Sequence, residues 1–170
     1  MQKHHAWQTM MFVWGRMGLL WLAGLSIAGP GFARCLVMGD SIAQGAGAHA
    51  PHCRVMAEKG ITTQDWVRRF GVSVERDAHT LDVVLISLGS NDGQNANATN
   101  LFKARSLLAQ AKTVIWIAPG PKYPARSQIL GVAREFGDVV YERPVEQMQD
   151  DGVHFDQMGY KRMASVLARY

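Results

Sequence analysis

The sequence predicts an α/β fold, a parallel sheet with helices packed on both faces. Short, continuously apolar runs alternate along the chain with amphipathic stretches, and strand–helix–strand alternation is the mark of parallel sheets. The apolar runs lack a polar alternation, as expected of strands covered on both sides. Polar and glycine-rich clusters stand directly after the first three runs, where a parallel sheet opens its ligand crevice.

Residues 34–38 (RCLVM) form the first buried strand, stopped at Gly39. An Ile-Ala pair after Ser41 opens a helix. Residues 52–57 are a weaker strand ending near Gly60. Residues 62–70 (TTQDWVRRF) predict a helix with Thr62 or Thr63 as cap and Trp66, Val67 and Phe70 on one face. Residues 81–88 (LDVVLISL) are the strongest strand in the chain, and residues 100–111 repeat apolar side chains at helical spacing. Residues 113–118 (TVIWIA) are a further buried strand, stopped by Pro119-Gly120-Pro121. Residues 127–136 predict a helix, 139–141 a strand and 156–169 a last helix, with Asp156 at its N-cap.

A chain of 170 residues with 48% hydrophobic and 19% charged residues suffices for one domain with a core and excludes a disordered chain. The formal net charge of +4 is interspersed, with no run of five like charges, so it leaves no nucleic-acid footprint. Two cysteines are too few for a disulfide-built scaffold or for a structural zinc site.

The first 33 residues read as an export signal rather than as part of the fold. Lys3 and Arg16 precede a twelve-residue apolar run, 17–28, which Gly29, Pro30 and Gly31 break. Small residues at Gly31 and Ala33 fit cleavage after Ala33. Twelve residues fall short of the roughly 20 that span a bilayer, although apolar residues 10–14 keep an uncleaved anchor open as the alternative. Arg34 before Cys35 argues against lipid attachment there. Removing Lys3 and Arg16 leaves 16 basic against 14 acidic residues in the expected mature chain, 34–170. Such a chain is periplasmic or secreted, keeps no stable membrane span once cleaved, and is permitted a Cys35–Cys53 disulfide.

Ser41 follows a buried strand and a glycine and stands near a helix N-terminus, where negative charge is favoured. Standing alone it reads as a helix cap. No lysine follows Gly45-Ala46-Gly47 in the phosphate-loop pattern, and G-x-G-x-x-G is absent after the strand. A serine hydroxyl needs a base. His49, His52 and His79 read as surface residues, and His49, His52 and Cys53 lack the fourth ligand of a closed metal site. His154 differs, because Asp151 precedes it by three residues with Gly152 free to turn between them. That turn brings a carboxylate to one ring nitrogen and leaves the other for a hydroxyl. Asn91 offers a side-chain N–H at a strand end, and Gly60 and Ser41 offer backbone N–H groups, the donors an oxyanion hole needs. Read blandly, Asn91-Asp92-Gly93 is a turn.

The stretch VMGDSIAQG, the lone Gly60, SLGSNDG and DGVHFDQMGY together resemble the four blocks of the SGNH hydrolase superfamily, the GDSL-type esterases and lipases. They occur in order over residues 36–160, with Ile42 where leucine is usual. The resemblance implies a three-layer, doubly wound, flavodoxin-like sandwich with about five parallel strands. It implies Ser41 as nucleophile, His154 as base, Asp151 as its orienting acid, and Ser41, Gly60 and Asn91 as oxyanion hole. Gly60 is the least specific assignment, with Gly45 or Gly47 as alternatives. In that strand order Cys35 and Cys53 would lie near the amino ends of adjacent strands, either bridged or as two buried thiols. No cofactor or metal is implied. The substrate class is a small-molecule or glycan ester, such as an O-acetylated glycan or a short acyl ester. A thioesterase or lysophospholipase, and a non-catalytic glycan-binding module, are the competing readings. Trp66, Trp116 and Tyr123 are expected in the core or at edges rather than in the site.

Overall fold

The computed structural model describes residues 34–170; the export segment, its cleavage after Ala33 and the anchor alternative fall on residues outside that range. Five strands, β1 (Cys35–Gly39), β2 (Arg54–Ala57), β3 (Val83–Ser87), β4 (Thr113–Ile117) and β5 (Val139–Tyr141), form one sheet in the order β2-β1-β3-β4-β5. Every pairing is parallel. Five helices connect and cover the strands: α1 (Ser41–Ala48), α2 (Thr63–Asp77), α3 (Ala98–Ser106), α4 (Ala125–Phe136) and α5 (Gln157–Leu167). The expected three-layer, doubly wound α/β sandwich is the observed one.

The alternation of strand side chains sorts the core into two layers. Leu36 and Met38, Val84 and Ile86, and Val114 and Trp116 face one way, onto Trp66 of α2, Leu101 of α3 and Ile129 of α4. Val37, Val83, Leu85, Ile115 and Ile117 face the other way, onto Ile42 and Ala46 of α1 and Met163 and Leu167 of α5. Both faces are buried, which is why these strands are apolar throughout. Trp66 and Trp116 are fully buried, and each indole N–H has a partner, the Met56 carbonyl at 2.7 Å and Asp138 Oδ2 at 2.9 Å. Asp138 also receives a two-pronged bond from the buried Arg105, at 2.6 and 2.7 Å.

Several element ends differ from expectation. α2 does not stop at Phe70 but runs through Gly71 to Asp77. Gly71 packs closely there, since a Cβ would lie 3.1 Å from Leu107 Cδ1, and the longer helix buries Val74 beside Trp66. α3 begins two residues early, capped by Asn97, whose side chain accepts from the Thr99 N–H. It ends at Ser106 rather than at 111, and Arg105 in its last turn is drawn into the Asp138 pair. α4 begins at Ala125, directly after Pro124. Only the last four residues of the second predicted strand pair with β1.

Cys35 and Cys53 are bonded, with Cα atoms 4.8 Å apart. The bridge joins the amino end of β1 to the residue just before β2. The structure thus takes the bridged alternative for this pair. No helix among the described residues is long and apolar enough to cross a membrane.

Candidate active site

β1 lies between β2 and β3, so the winding reverses beside it and its carboxyl end opens the crevice. Gly39 ends β1 at φ +133°, and a Cβ there would sit 1.7 Å from the Ser87 carbonyl oxygen. Only glycine permits that approach. The next residue, Asp40, donates its N–H to the same carbonyl at 2.9 Å. Its carboxylate accepts from the Ile42 N–H at 3.0 Å and from Ser87 Oγ at 2.8 Å. The N-cap of α1 is therefore Asp40, not Ser41 as the capping reading had it, and Ser41 is the first helical residue with its hydroxyl free of that duty. Burial raises the Asp40 pKa, and its hydrogen bond from Ser87 opposes the rise.

Ser41 Oγ lies 3.0 Å from His154 Nε2, across 113 residues of chain. His154 Nδ1 lies 2.7 Å from Asp151 Oδ2. The other Asp151 oxygen accepts from the backbone N–H groups of Val153 and His154, at 2.8 and 2.9 Å. These bonds, led by the one to the His154 ring, hold the Asp151 carboxyl down at about 2. An ionised carboxylate only accepts, so Nδ1 carries a proton, which in the neutral ring leaves Nε2 to accept from the Ser41 hydroxyl. Gly152, between the two residues, has φ +62°. The loop is pinned at its base by Gln149 N–H to the His154 carbonyl, by Gln149 Nε2 to the Phe155 carbonyl, and by Asp156 capping α5 at the Gly159 N–H.

Gly60 and Asn91 stand in the loops after β2 and β3. Gly60 is exposed at φ +78°, and among the described residues no acceptor takes its N–H. Asn91 Nδ2 donates to the Ile61 carbonyl at 3.2 Å, leaving its second N–H unused by that bond. Asp92 Oδ1 accepts from the Thr63 N–H at 2.7 Å, so residues 91 and 92 tether the loop that carries Gly60. The alternatives Gly45 and Gly47 are inside α1, where they serve packing: a Cβ would meet the Tyr160 ring at 2.3 Å and Val55 at 2.6 Å, respectively. Open polar clefts flank Gly60 and Asn91. One, of about 550 Å³, is lined by Lys59, Gly60, Asp65, Arg68 and Arg69 among others. The other, of about 280 Å³, is lined by Thr62, Gln64, Asn91, Asp92 and Asn100 among others.

The remaining histidines are elsewhere. His52 and His79 are exposed, and His49 stacks on Tyr160. Cys35, His52 and Cys53 present ligand-type atoms within 4.8 Å of one another, but both sulfurs are spent in the disulfide and supply no thiolate. Arg143, which the sequence reading did not single out, stands two positions past β5 and donates to the Val153 carbonyl beside His154 at 2.9 Å; a charged residue at that end of a strand was the available signal.

No protein-family model and no curated protein matches the sequence, whereas solved structures do. The catalytic domain of peptidoglycan O-acetyltransferase A from Streptococcus pneumoniae superposes with a TM-score of 0.57 at 17% identity, over 81% of this chain and 91% of that one. A lipolytic protein of the G-D-S-L family from Veillonella parvula gives 0.55 at 18% identity, over 81% and 97%. A carbohydrate acetylesterase family member from Sinorhizobium meliloti gives 0.54 at 14% identity, over 80% and 96%. At these identities the likeness is one of architecture, and the chain has the fold of the SGNH, or GDSL-type, hydrolases.

Proposed function

We propose that this chain is an exported serine esterase of the SGNH type. In this reading it hydrolyses an acyl ester, such as an O-acetylated glycan or a short acyl ester, through Ser41, His154 and Asp151. The observation that carries the reading is the continuous line from Ser41 Oγ to His154 Nε2 at 3.0 Å and from His154 Nδ1 to Asp151 at 2.7 Å. Ser41 attacks the ester carbonyl as His154 takes its proton, and Asp151 stabilises the imidazolium so formed. The N–H groups of Ser41 and Gly60 and the Asn91 amide receive the oxyanion, each such donor contributing about 3 kcal/mol. His154 returns the proton to the leaving alcohol, and a water activated by the same imidazole then releases the acid.

Polar, charged clefts beside Gly60 and Asn91 favour a hydrophilic alcohol over a long acyl chain. The export signal expected in residues 1–33 and the Cys35–Cys53 bond support an oxidising compartment, periplasmic or extracellular. Hydrolysis of p-nitrophenyl acetate tests the reading. We expect Ser41→Ala to lose at least about 10³-fold in kcat/KM, and a fluorophosphonate to label Ser41 in the unaltered protein. Equal rates for the two proteins, or labelling elsewhere, would end the esterase reading in favour of a non-catalytic module.

A further inference from the structure

We propose that Arg143 is a positioning residue of this site, one guanidinium that locks the His154 loop to the loop carrying Asn91. The inference rests on the esterase reading. Arg143 Nη1 donates to the Val153 carbonyl at 2.9 Å, and Nη2 reaches Ser90 Oγ at 3.4 Å. The guanidinium also lies over the ring of Phe155, 5.8 Å from its centroid, and that ring is fully buried. Val153 and Phe155 are the two chain neighbours of His154, and Ser90 is the neighbour of Asn91. Arg143 therefore grips the imidazole's backbone from both sides and ties it to a segment 53 positions away in sequence from Arg143 itself.

The electrostatics add a third connection. Arg143 Nε and Asp40 Oδ2 are both buried with no hydrogen-bond partner among the described residues. The two groups attract each other, each partly offsetting the burial that disfavours the other's charge. Asp40 is the neighbour of Ser41 and the cap of its helix. One cation thus bears on the chain beside the nucleophile, the base and the amide donor. A planar fork makes such divergent contacts at once, whereas the single ammonium of lysine cannot. The section of chain it holds, 147–156, is otherwise fastened by its own short-range bonds, by the His154 bond to Ser41 and by the buried Phe155, none of which reaches the β3 loop.

The test is steady-state hydrolysis of p-nitrophenyl acetate together with the ¹⁵N signals of the His154 ring, for the full chain and for Arg143→Met, Arg143→Lys and Ser90→Ala. We expect Arg143→Met to lower kcat by about 10- to 100-fold with KM held within about twofold, since a displaced base costs turnover rather than binding. The His154 ring signals should move in the same variant. Arg143→Lys should recover only part of the loss, and Ser90→Ala should show a smaller loss of the same kind. A KM that rises while kcat holds would make Arg143 a substrate contact and overturn the proposal. So would unmoved His154 signals with kcat within about twofold of the unaltered protein. Should Arg143→Met fail to fold, Arg143→Lys and Ser90→Ala decide by the same criteria. Absence of turnover in the unaltered protein would instead refute the esterase reading, and the His154 signals would still decide whether Arg143 orders that ring.

Discussion

Asp151 performs two tasks with two oxygens. One accepts from the imidazole, and the other closes the turn onto the Val153 and His154 N–H groups. Its pKa falls from 3.8 to about 2 for that reason. A carboxyl lowered in the folded state stabilises the turn above its unfolded value and loses that effect as pH falls through the folded one. The side-chain carboxyl ¹³C signal of Asp151 should therefore keep its ionised position down to about pH 4 and move between pH 4 and about 2. A carboxyl that titrates at the ordinary value or above would contradict the geometry. Replacing the carboxylate by an amide, Asp151→Asn, should lower kcat by about 10²- to 10⁴-fold with KM little changed, because an amide nitrogen in that place cannot accept from Nδ1–H.

At the scale of elements, the site depends on how closely β1 passes β3. Gly39 has φ +133°, and a side chain there would collide with the Ser87 backbone. Nothing flexible can yield, since the obstacle is main chain. We expect Gly39→Ala to cost about 3 kcal/mol or more, from backbone strain and overpacking together, measured by urea unfolding. A variant as stable as the parent would show that the Gly39–Asp40 turn is not held as described. The strands were legible because both of their faces are buried, which leaves uninterrupted apolar runs. The ends of α2 and α3 were not legible, because they are set by partners far off in sequence. α2 continues through Gly71, which packs against Leu107, and α3 ends where Arg105 turns into the pair with Asp138.

For the molecule as a whole, the disulfide and the candidate site lie at opposite ends of β1. Cys35 starts β1 and Ser41 follows its end. The bridge closes a separation of 18 residues, and a loop of that length corresponds to about 3 kcal/mol of stability in the chain-entropy account. Replacing both cysteines by serine should lower the unfolding free energy by about that amount. It should leave kcat on p-nitrophenyl acetate unchanged within about twofold. A large fall in kcat without loss of stability would mean that the two ends of β1 are coupled.

The layered α/β class, the strand positions and the residue types of the candidate triad were legible along the chain. Local physics suffices for these: burial on both faces writes apolar runs, and the Asp151–Gly152–His154 turn is made within four residues. Tertiary structure alone decided that Asp40 rather than Ser41 caps α1, that Gly45 and Gly47 pack against Tyr160 and Val55, and that the two cysteines are bonded. It alone brought Arg143 between the loops of Ser90 and His154. Each of these depends on a close approach between segments distant in sequence. Such an approach is set by the packing of the folded sheet and helices, and no periodicity along the chain encodes it.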